Sequence, residues 1–330
     1  MATALLARQL LTPLQRIEDA ALLIDNGIIA AVGPRAVVTV PANARVVDFG
    51  DAILAPGLID IHIHGGAGRD VMEGSEEGLA AIEQMMARHG VTSYCPTTVT
   101  APMEQTLRSL EALGKAVKQA ENGGRSGPAR ARPLGVHLEG PFLSHARRGV
   151  HSPLDLQPPS EELFDQMWDA AEGRIRMLTI APELEGALEV ISNASQRGVC
   201  VSLGHSNATL PQALAGIKAG ARHATHSFNA MRRIDHRDPG LLGAILTDRT
   251  MTADIIADGL HVEPVVVDLF LRAKGIDGAV LIPTASAPPA CRTAPTGWAR
   301  SRCSYEAIVV SRSGSLVAVC SRSIALLATR

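Results

Sequence analysis

Residues 55–66 read Ala55-Pro56-Gly57-Leu58-Ile59-Asp60-Ile61-His62-Ile63-His64-Gly65-Gly66. A Pro-Gly pair punctuates the chain, and the apolar run behind it has the length and β-branched content of a buried strand. His62 and His64 are two residues apart, so on a strand both imidazoles face the same side. Two imidazoles on one face at the end of a strand can share a cation.

From this point toward the C-terminus one texture recurs: apolar strand, polar loop, amphipathic helix. The expected strands are Leu58–His64, Val91–Thr98, Leu134–Glu139, Arg176–Ala181, Val199–His205, His223–Phe228, Thr252–Ala257 and Ala279–Thr284. Helices are expected at Glu76–His89, Met103–Ala120, Glu161–Ala171, Leu184–Arg197 and Pro211–Ala219. Gly90, Gly198 and Gly220 stand where a helix C-terminus needs a left-handed residue. The Gly-, Arg- and Pro-rich stretch Glu121–Pro133 reads as an exposed loop. Eight strands alternating with helices predict an α/β chain folded as a closed TIM-like (β/α)8 barrel over residues 55–282.

Toward the N-terminus, Ala20–Asp51 reads as short β-segments. Ala21-Leu22-Leu23-Ile24, then Asp25-Asn26-Gly27, then Ile28-Ile29-Ala30-Ala31-Val32-Gly33 is a hairpin pattern. Residues 1–54 are therefore expected to form part of a small β-sandwich domain beside the barrel.

Composition narrows the function classes. The chain has 330 residues, 46% apolar and 19% charged, with a net charge of −2, ordinary values for a globular protein. No basic block or stripe suggests a nucleic-acid surface. No apolar run approaches the roughly 20 residues needed to cross a bilayer. Met1–Leu11 lacks the basic leader and cleavage site of a secretory signal. The five cysteines are odd in number, irregularly spaced and without a Cys-x-x-Cys pair, which reads as reduced thiols in a cytoplasmic protein.

The chemistry-bearing residues collect at the C-terminal ends of the expected strands, where barrel enzymes build their sites. Beyond His62 and His64, strand three ends in His137-Leu138-Glu139-Gly140-Pro141-Phe142. Strand five ends in Gly204-His205-Ser206, and strand six in Thr225-His226-Ser227-Phe228-Asn229-Ala230-Met231. A carboxylate and two imidazoles arriving from three strands suit a divalent metal with an open position for water. The competing reading is a set of hydrogen-bonded polar residues at a barrel rim.

These strings, with Ala55–Asp60 and Ala257-Asp258-Gly259-Leu260-His261, resemble the N-acetylglucosamine-6-phosphate deacetylases of the amidohydrolase superfamily, in register from about Ala20 to Leu281. The resemblance implies Glu139, His205 and His226 as metal ligands, with His62 and His64 available for a second ion. The metal would be divalent, zinc first. It implies His151 as a catalytic loop histidine that contacts the substrate acetamide and polarises its carbonyl. Asn229, Ala230, Arg237 and His261 match positions holding the sugar and its 6-phosphate. Arg237 would act as a charge-assisted clamp, the alternative being a surface ion pair with Asp235 or Asp238. The implied partner is a small sugar phosphate rather than nucleic acid or membrane, and homodimers are common in the family. The implied reaction releases acetate and leaves glucosamine 6-phosphate, in amino-sugar catabolism or cell-wall recycling. Another amidohydrolase acting on a different amide is the alternative enzyme.

One departure stands out. The family carries a general-base aspartate in a Thr-Asp pair at the end of strand eight, and here Thr284 stands in its place. The tail beyond it has a single acidic residue, Glu306, and three of the five cysteines. Synonymous codons for Pro283–Cys291, read with one restored base, become Thr-Asp-Gly-Val-Gly-Ala-Ala-Gly-Met. The same shift over Leu316–Leu327 permits Gly-Gly-Ser-Val-Leu-Thr-Leu-Asp-Arg-Ala-Val, and both segments are similar to the family. Residues 283–330 are accordingly expected to be an out-of-frame tail, from a one-base deletion or sequencing error near codon 283. A chain truly ending this way would lack the base and the second half of the β-domain, leaving an inactive remnant that still binds metal and sugar phosphate.

Overall fold

The computed structural model describes residues 1–123 and 127–283, and the backbone alone of 307–312 and 315–320. Two compact units emerge, one built on Met1–Gly57 and the other on residues 58–283.

In the first unit, β1 (Thr3–Leu11), β2 (Arg16–Asp25), β3 (Ile28–Pro34) and β4 (Arg45–Asp48) form a sheet in the order β3-β2-β1-β4, with β5 (Ile53–Leu54) also on β1. The expected hairpin is β2–β3. Its turn residues Asn26 and Gly27 have φ of 49° and 78°, the pair of positive values a type I′ turn requires. β1 was not anticipated, because an eleven-residue apolar opening shows little alternation. Its pairing with three other strands places it inside the sheet. Leu10, Ile17 and Ala20 form a buried cluster in this unit, with Leu22 and Leu54 packed against them.

The second unit contains all eight expected barrel strands: β6 (Leu58–Ile63), β9 (Val91–Pro96), β11 (Val136–Glu139), β12 (Ile175–Ile180), β13 (Cys200–Leu203), β14 (His223–Ala224), β15 (Ala253–Ile256) and β16 (Ala279–Ile282). Two-residue strands β7 (Gly65–Gly66) and β8 (Arg69–Asp70) pair with each other beyond β6, and β10 (Arg132–Pro133) pairs with β9. Neighbouring barrel strands are parallel. Hydrogen bonds beyond the regular ladders join the segments: the Thr98 N–H donates to the His137 carbonyl (3.0 Å) and the Ser227 N–H to the Asp254 carbonyl (2.8 Å). β16 lies beside β6 and completes the ring.

The expected helices appear as α1 (Glu76–Arg88), α2 (Met103–Glu121), α3 (Glu161–Ala170), α4 (Ala187–Gln196) and α5 (Leu210–Ala219). Ser75 and Ser160 cap α1 and α3 by accepting backbone N–H bonds, as N-cap serines do. Two further helices, α6 (Gly240–Thr247) and α7 (Pro264–Gly278), were not anticipated. α6 is apolar nearly throughout and buried over residues 240–245, so it has no polar face to produce a helical period. β14 is two residues long where six were expected. The chain leaves the ladder there because His226, Phe228 and Ala230 adopt positive φ, and that departure shapes the site.

Candidate metal-hydrolase site

Glu139 ends β11 and is 2% exposed. Its two oxygens divide the surrounding imidazoles. Oε1 lies 3.2 Å from His205 Nε2 and 3.0 Å from His226 Nε2, which are 3.1 Å from each other. Oε2 lies 3.1 Å from His64 Nε2 and 3.5 Å from His62 Nε2, with those two nitrogens 3.0 Å apart. His151 Nε2 also approaches Oε2, at 3.5 Å. The structure thus assembles, around one carboxylate, every residue read as a candidate ligand.

The hydrogen atoms decide what these nitrogens can do. His205 Nδ1 faces the Arg147 carbonyl at 2.9 Å and His64 Nδ1 faces the Thr97 carbonyl at 3.2 Å. A carbonyl only accepts, so each Nδ1 is the N–H and each Nε2 carries a lone pair. Lone pairs on two imidazoles therefore point at a carboxylate, an arrangement that calls for a cation between them. Ligand atoms about 2.0–2.2 Å from a tetrahedral metal are separated by about 3.3–3.6 Å, and the observed separations fall within a few tenths of an ångström. The donor set fits a divalent ion at the Glu139–His205–His226 group, and a second at Glu139–His62–His64.

His151 differs. The Thr100 backbone N–H donates to its Nδ1 (3.2 Å), and the Thr100 hydroxyl lies 2.8 Å from the same atom. A backbone N–H cannot accept, so Nδ1 holds the lone pair and Nε2 holds the hydrogen. His151 is 2% exposed and presents an N–H donor toward the cluster rather than a ligand. The turn before it brings the parts close: a Cβ on Gly149, whose φ is 59°, would sit 3.1 Å from His205 Cε1 and 3.7 Å from the Ala230 Cβ.

Burial pulls His205 down to about 4, although Glu139 works against it, and lowers His62 for the same reason. His226 is raised: burial opposes its charge, but Glu139 and Asp254 outweigh it. Burial also opposes the charge on Glu139, yet the surrounding histidines hold its carboxyl well below the usual range. Since His62 and His205 are themselves pulled toward neutrality, that cluster suits an anion facing a cation from outside the protein.

The residues matched to sugar and phosphate are more spread out. Ala230 accepts the Ser206 N–H through its carbonyl (3.1 Å), and the Asn229 N–H donates to the His226 carbonyl (2.9 Å). The Asn229 side-chain amide nitrogen is buried without a partner among the described residues. Arg237 is exposed. Its alternative role as half of an ion pair does not materialise among the described residues, because Asp238 pairs with Arg232 and Asp235 lies beside His236. His261 pairs with Asp258 at 2.7 Å. Among the described residues neither Arg237 nor His261 touches the histidine cluster. Thr284 lies outside the described residues.

Several residues near the site escaped the sequence reading. Asp254 on β15 is fully buried and reaches the His226 main chain. Asp60 holds the His62 N–H at 3.0 Å. Glu183 accepts from the Ser206 hydroxyl (2.7 Å) and the Asn207 N–H (2.6 Å), bracing the loop behind His205. His137 bridges the Ile61 carbonyl (2.9 Å) and the Thr179 hydroxyl (2.7 Å) inside the barrel. Acids within apolar strands, such as Asp60 and Asp254, were the available signal.

A (β/α)8 barrel with imidazoles and a carboxylate converging at its strand ends defines a metal-hydrolase class of site. The amidohydrolase family profile matches residues 53–294, and the chain belongs to that family. It is 38% identical over 269 residues to the N-acetylgalactosamine-6-phosphate deacetylase of Escherichia coli O157:H7, covering 82% of this chain and 68% of the relative. It is 41% identical over 241 residues to the N-acetylglucosamine-6-phosphate deacetylase of Bos taurus, covering 69% and 57%. The chain therefore spans between somewhat over half and about two thirds of these relatives. A crystal structure of the N-acetylglucosamine-6-phosphate deacetylase from Mycobacterium smegmatis aligns with a TM-score of 0.75 at 36% identity, over 85% of this chain and 70% of that one. The solved enzyme from Pasteurella multocida aligns at 0.77 and 29% identity, over 96% and 80%. These neighbours bear out the barrel with its N-terminal β-sandwich segment.

Proposed function

We propose that the chain descends from, and carries the binding machinery of, a metal-dependent deacetylase hydrolysing the N-acetyl group of N-acetylglucosamine 6-phosphate to acetate and glucosamine 6-phosphate. The observation that carries this is the pairing of a lone-pair cluster on Glu139 with a donor histidine, His151, at its edge. Glu139, His205 and His226 would hold a divalent ion, zinc first, with His62 and His64 available for a second. A divalent cation supplies Lewis acidity toward water and an amide carbonyl. His151, with its hydrogen on Nε2, donates to the amide oxygen and orients the carbonyl. Arg237, free of any ion pair among the described residues, meets the phosphate, and Asn229, Ala230 and His261 hold the sugar. Residues 1–54 serve as the β-domain segment, 55–282 as the catalytic barrel and 283–330 as the out-of-frame tail. A cytoplasmic homodimer acting in amino-sugar metabolism completes the reading.

Proton transfer to the leaving amine needs an acid–base group, and Thr284 cannot supply one because a hydroxyl does not titrate in the useful range. This favours a second reading, a chain that binds metal and sugar phosphate without turnover. Acetate release would be measured with N-acetylglucosamine 6-phosphate, the galactosamine isomer and the unphosphorylated sugar, alongside calorimetric binding. Turnover dependent on phosphate and metal supports the deacetylase. Metal-dependent binding of the sugar phosphate without acetate identifies the remnant. Neither binding nor turnover refutes both.

A further inference from the structure

The four imidazoles read as ligands around Glu139 are held in two different ways. His205 and His64 are oriented through their rings, each Nδ1–H donating to a backbone carbonyl. Metal-binding histidines ordinarily have such a partner. His62 and His226 lack it: their Nδ1 atoms are buried with no hydrogen-bond partner among the described residues. Both are instead pinned at the main chain by a buried carboxylate, the His62 N–H by Asp60 and the His226 N–H by Asp254.

The case of Asp254 is the more demanding. His226 sits at φ 33°, a left-handed conformation that is costly for a residue with a Cβ unless its surroundings enforce it. Asp254 Oδ1 accepts the His226 N–H, and the Asp254 carbonyl accepts the Ser227 N–H at 2.8 Å. One residue on β15 thus grips both amides on either side of the bend. Its second oxygen, Oδ2, lies 3.0 Å from His223 Nε2, and His223 Nδ1 lies 2.6 Å from the Thr252 hydroxyl. Asp254 is 0% exposed and His223 3%, so the carboxylate is locked from both ends. A buried carboxylate at this depth is costly without such partners.

We infer that Asp254, itself oriented by His223, is a positioning residue that sets the aim of His226 Nε2 at the cation by holding the His226 backbone in its left-handed bend, in place of a ring hydrogen bond. This rests on the reading of Glu139, His205 and His226 as a cation site. The backbone grip makes a specific demand: Oδ1 must accept, but it need not be charged. Asp254→Asn keeps an acceptor there, and Asp254→Ala removes it.

The test uses the full chain, stripped with chelator and titrated with cobalt(II), whose visible d–d spectrum reports ligand number and geometry. Binding of cobalt(II) by the unmodified chain, with a tetrahedral-type spectrum, establishes the underlying site. Its absence would defeat that reading and the inference with it. Given that binding, Asp254→Ala is expected to bind about 10–100-fold more weakly with an altered spectrum, the usual scale for losing an outer partner of a metal ligand. Asp254→Asn is expected to stay within a few-fold of the unmodified chain, with its spectrum restored. Far-ultraviolet circular dichroism of the metal-free variants separates misfolding from misaim. If Asp254→Ala does not fold, His223→Gln, which removes only the outer lock, is expected to weaken binding less but in the same direction. Asp254→Ala binding as the unmodified chain does, or Asp254→Asn falling to the level of a folded Asp254→Ala, would overturn the inference. So would unchanged binding by His223→Gln when Asp254→Ala cannot be measured.

Discussion

Besides the pair formed by His62 and His64, two overlapping groups that share Glu139 and His205 could hold an ion on distance alone, one completed by His226 and one by His151. Replacing His205 and His151 separately by alanine tells them apart. A four-ligand zinc site is worth about 10–16 kcal/mol, so each protein ligand carries roughly 3–4 kcal/mol. At about 1.4 kcal/mol per decade that is a 10²–10³-fold loss of affinity. His205→Ala, removing a lone pair 3.2 Å from Glu139 and 3.1 Å from His226, is expected to show that loss. His151→Ala is expected to change affinity by less than a few-fold, because the Thr100 N–H occupies Nδ1 and leaves hydrogen on Nε2. Competition between the metal-free protein and a chromogenic chelator, at fixed pH, reads both affinities directly. A loss in His151→Ala as large as in His205→Ala would refute the tautomer argument and make His151 a ligand.

Burial lowers His137 to about 3 and His205 to about 4, while an unfolded histidine titrates near 6.5. Between those values the unfolded chain binds the extra protons, so stability falls as pH falls below about 6.5, by up to about 1.4 kcal/mol per pH unit per group. The metal-free protein should therefore melt at a lower temperature at pH 5 than at pH 7.5, and a flat profile by scanning fluorimetry would contradict this. Lys274 Nζ donates to the carbonyls of Ile245, Asp248 and Met251 at 2.6–2.9 Å, tying α7 to the last turn of α6 and the segment that follows it. Lys274→Met should cost about 1.5 kcal/mol, the low end for hydrogen bonds to a charged group at a partly solvated position. An unchanged urea midpoint would count against it. Restoring one base before codon 283 of the gene should return Thr-Asp to the end of strand eight and raise acetate release by about 10²–10⁴-fold. Equal rates with and without the base would show that the tail is not what limits activity.

All eight barrel strands were legible because each is a short apolar run closed by polar punctuation, and burial inside a ring enforces that pattern. α6 left no helical period since it is buried on nearly every side. β1 was hidden because its buried positions do not alternate regularly with exposed ones. His62, His64, Glu139, His205 and His226 could be named from the sequence, because strand ends in a barrel point to one rim and their spacing along the chain tells which rim.

Sequence spacing could not say how the four histidines divide around the Glu139 carboxylate, nor that His151 turns its hydrogen rather than its lone pair inward. Tautomers follow from what lies across from each ring nitrogen, and those partners, the Thr100 amide and the Arg147 carbonyl, come from distant segments of chain. Asp254 makes the same point. In sequence it is one acid in an apolar strand, 28 residues from His226, and only the closing of parallel strands into a ring sets its carboxylate under the bend that aims that histidine.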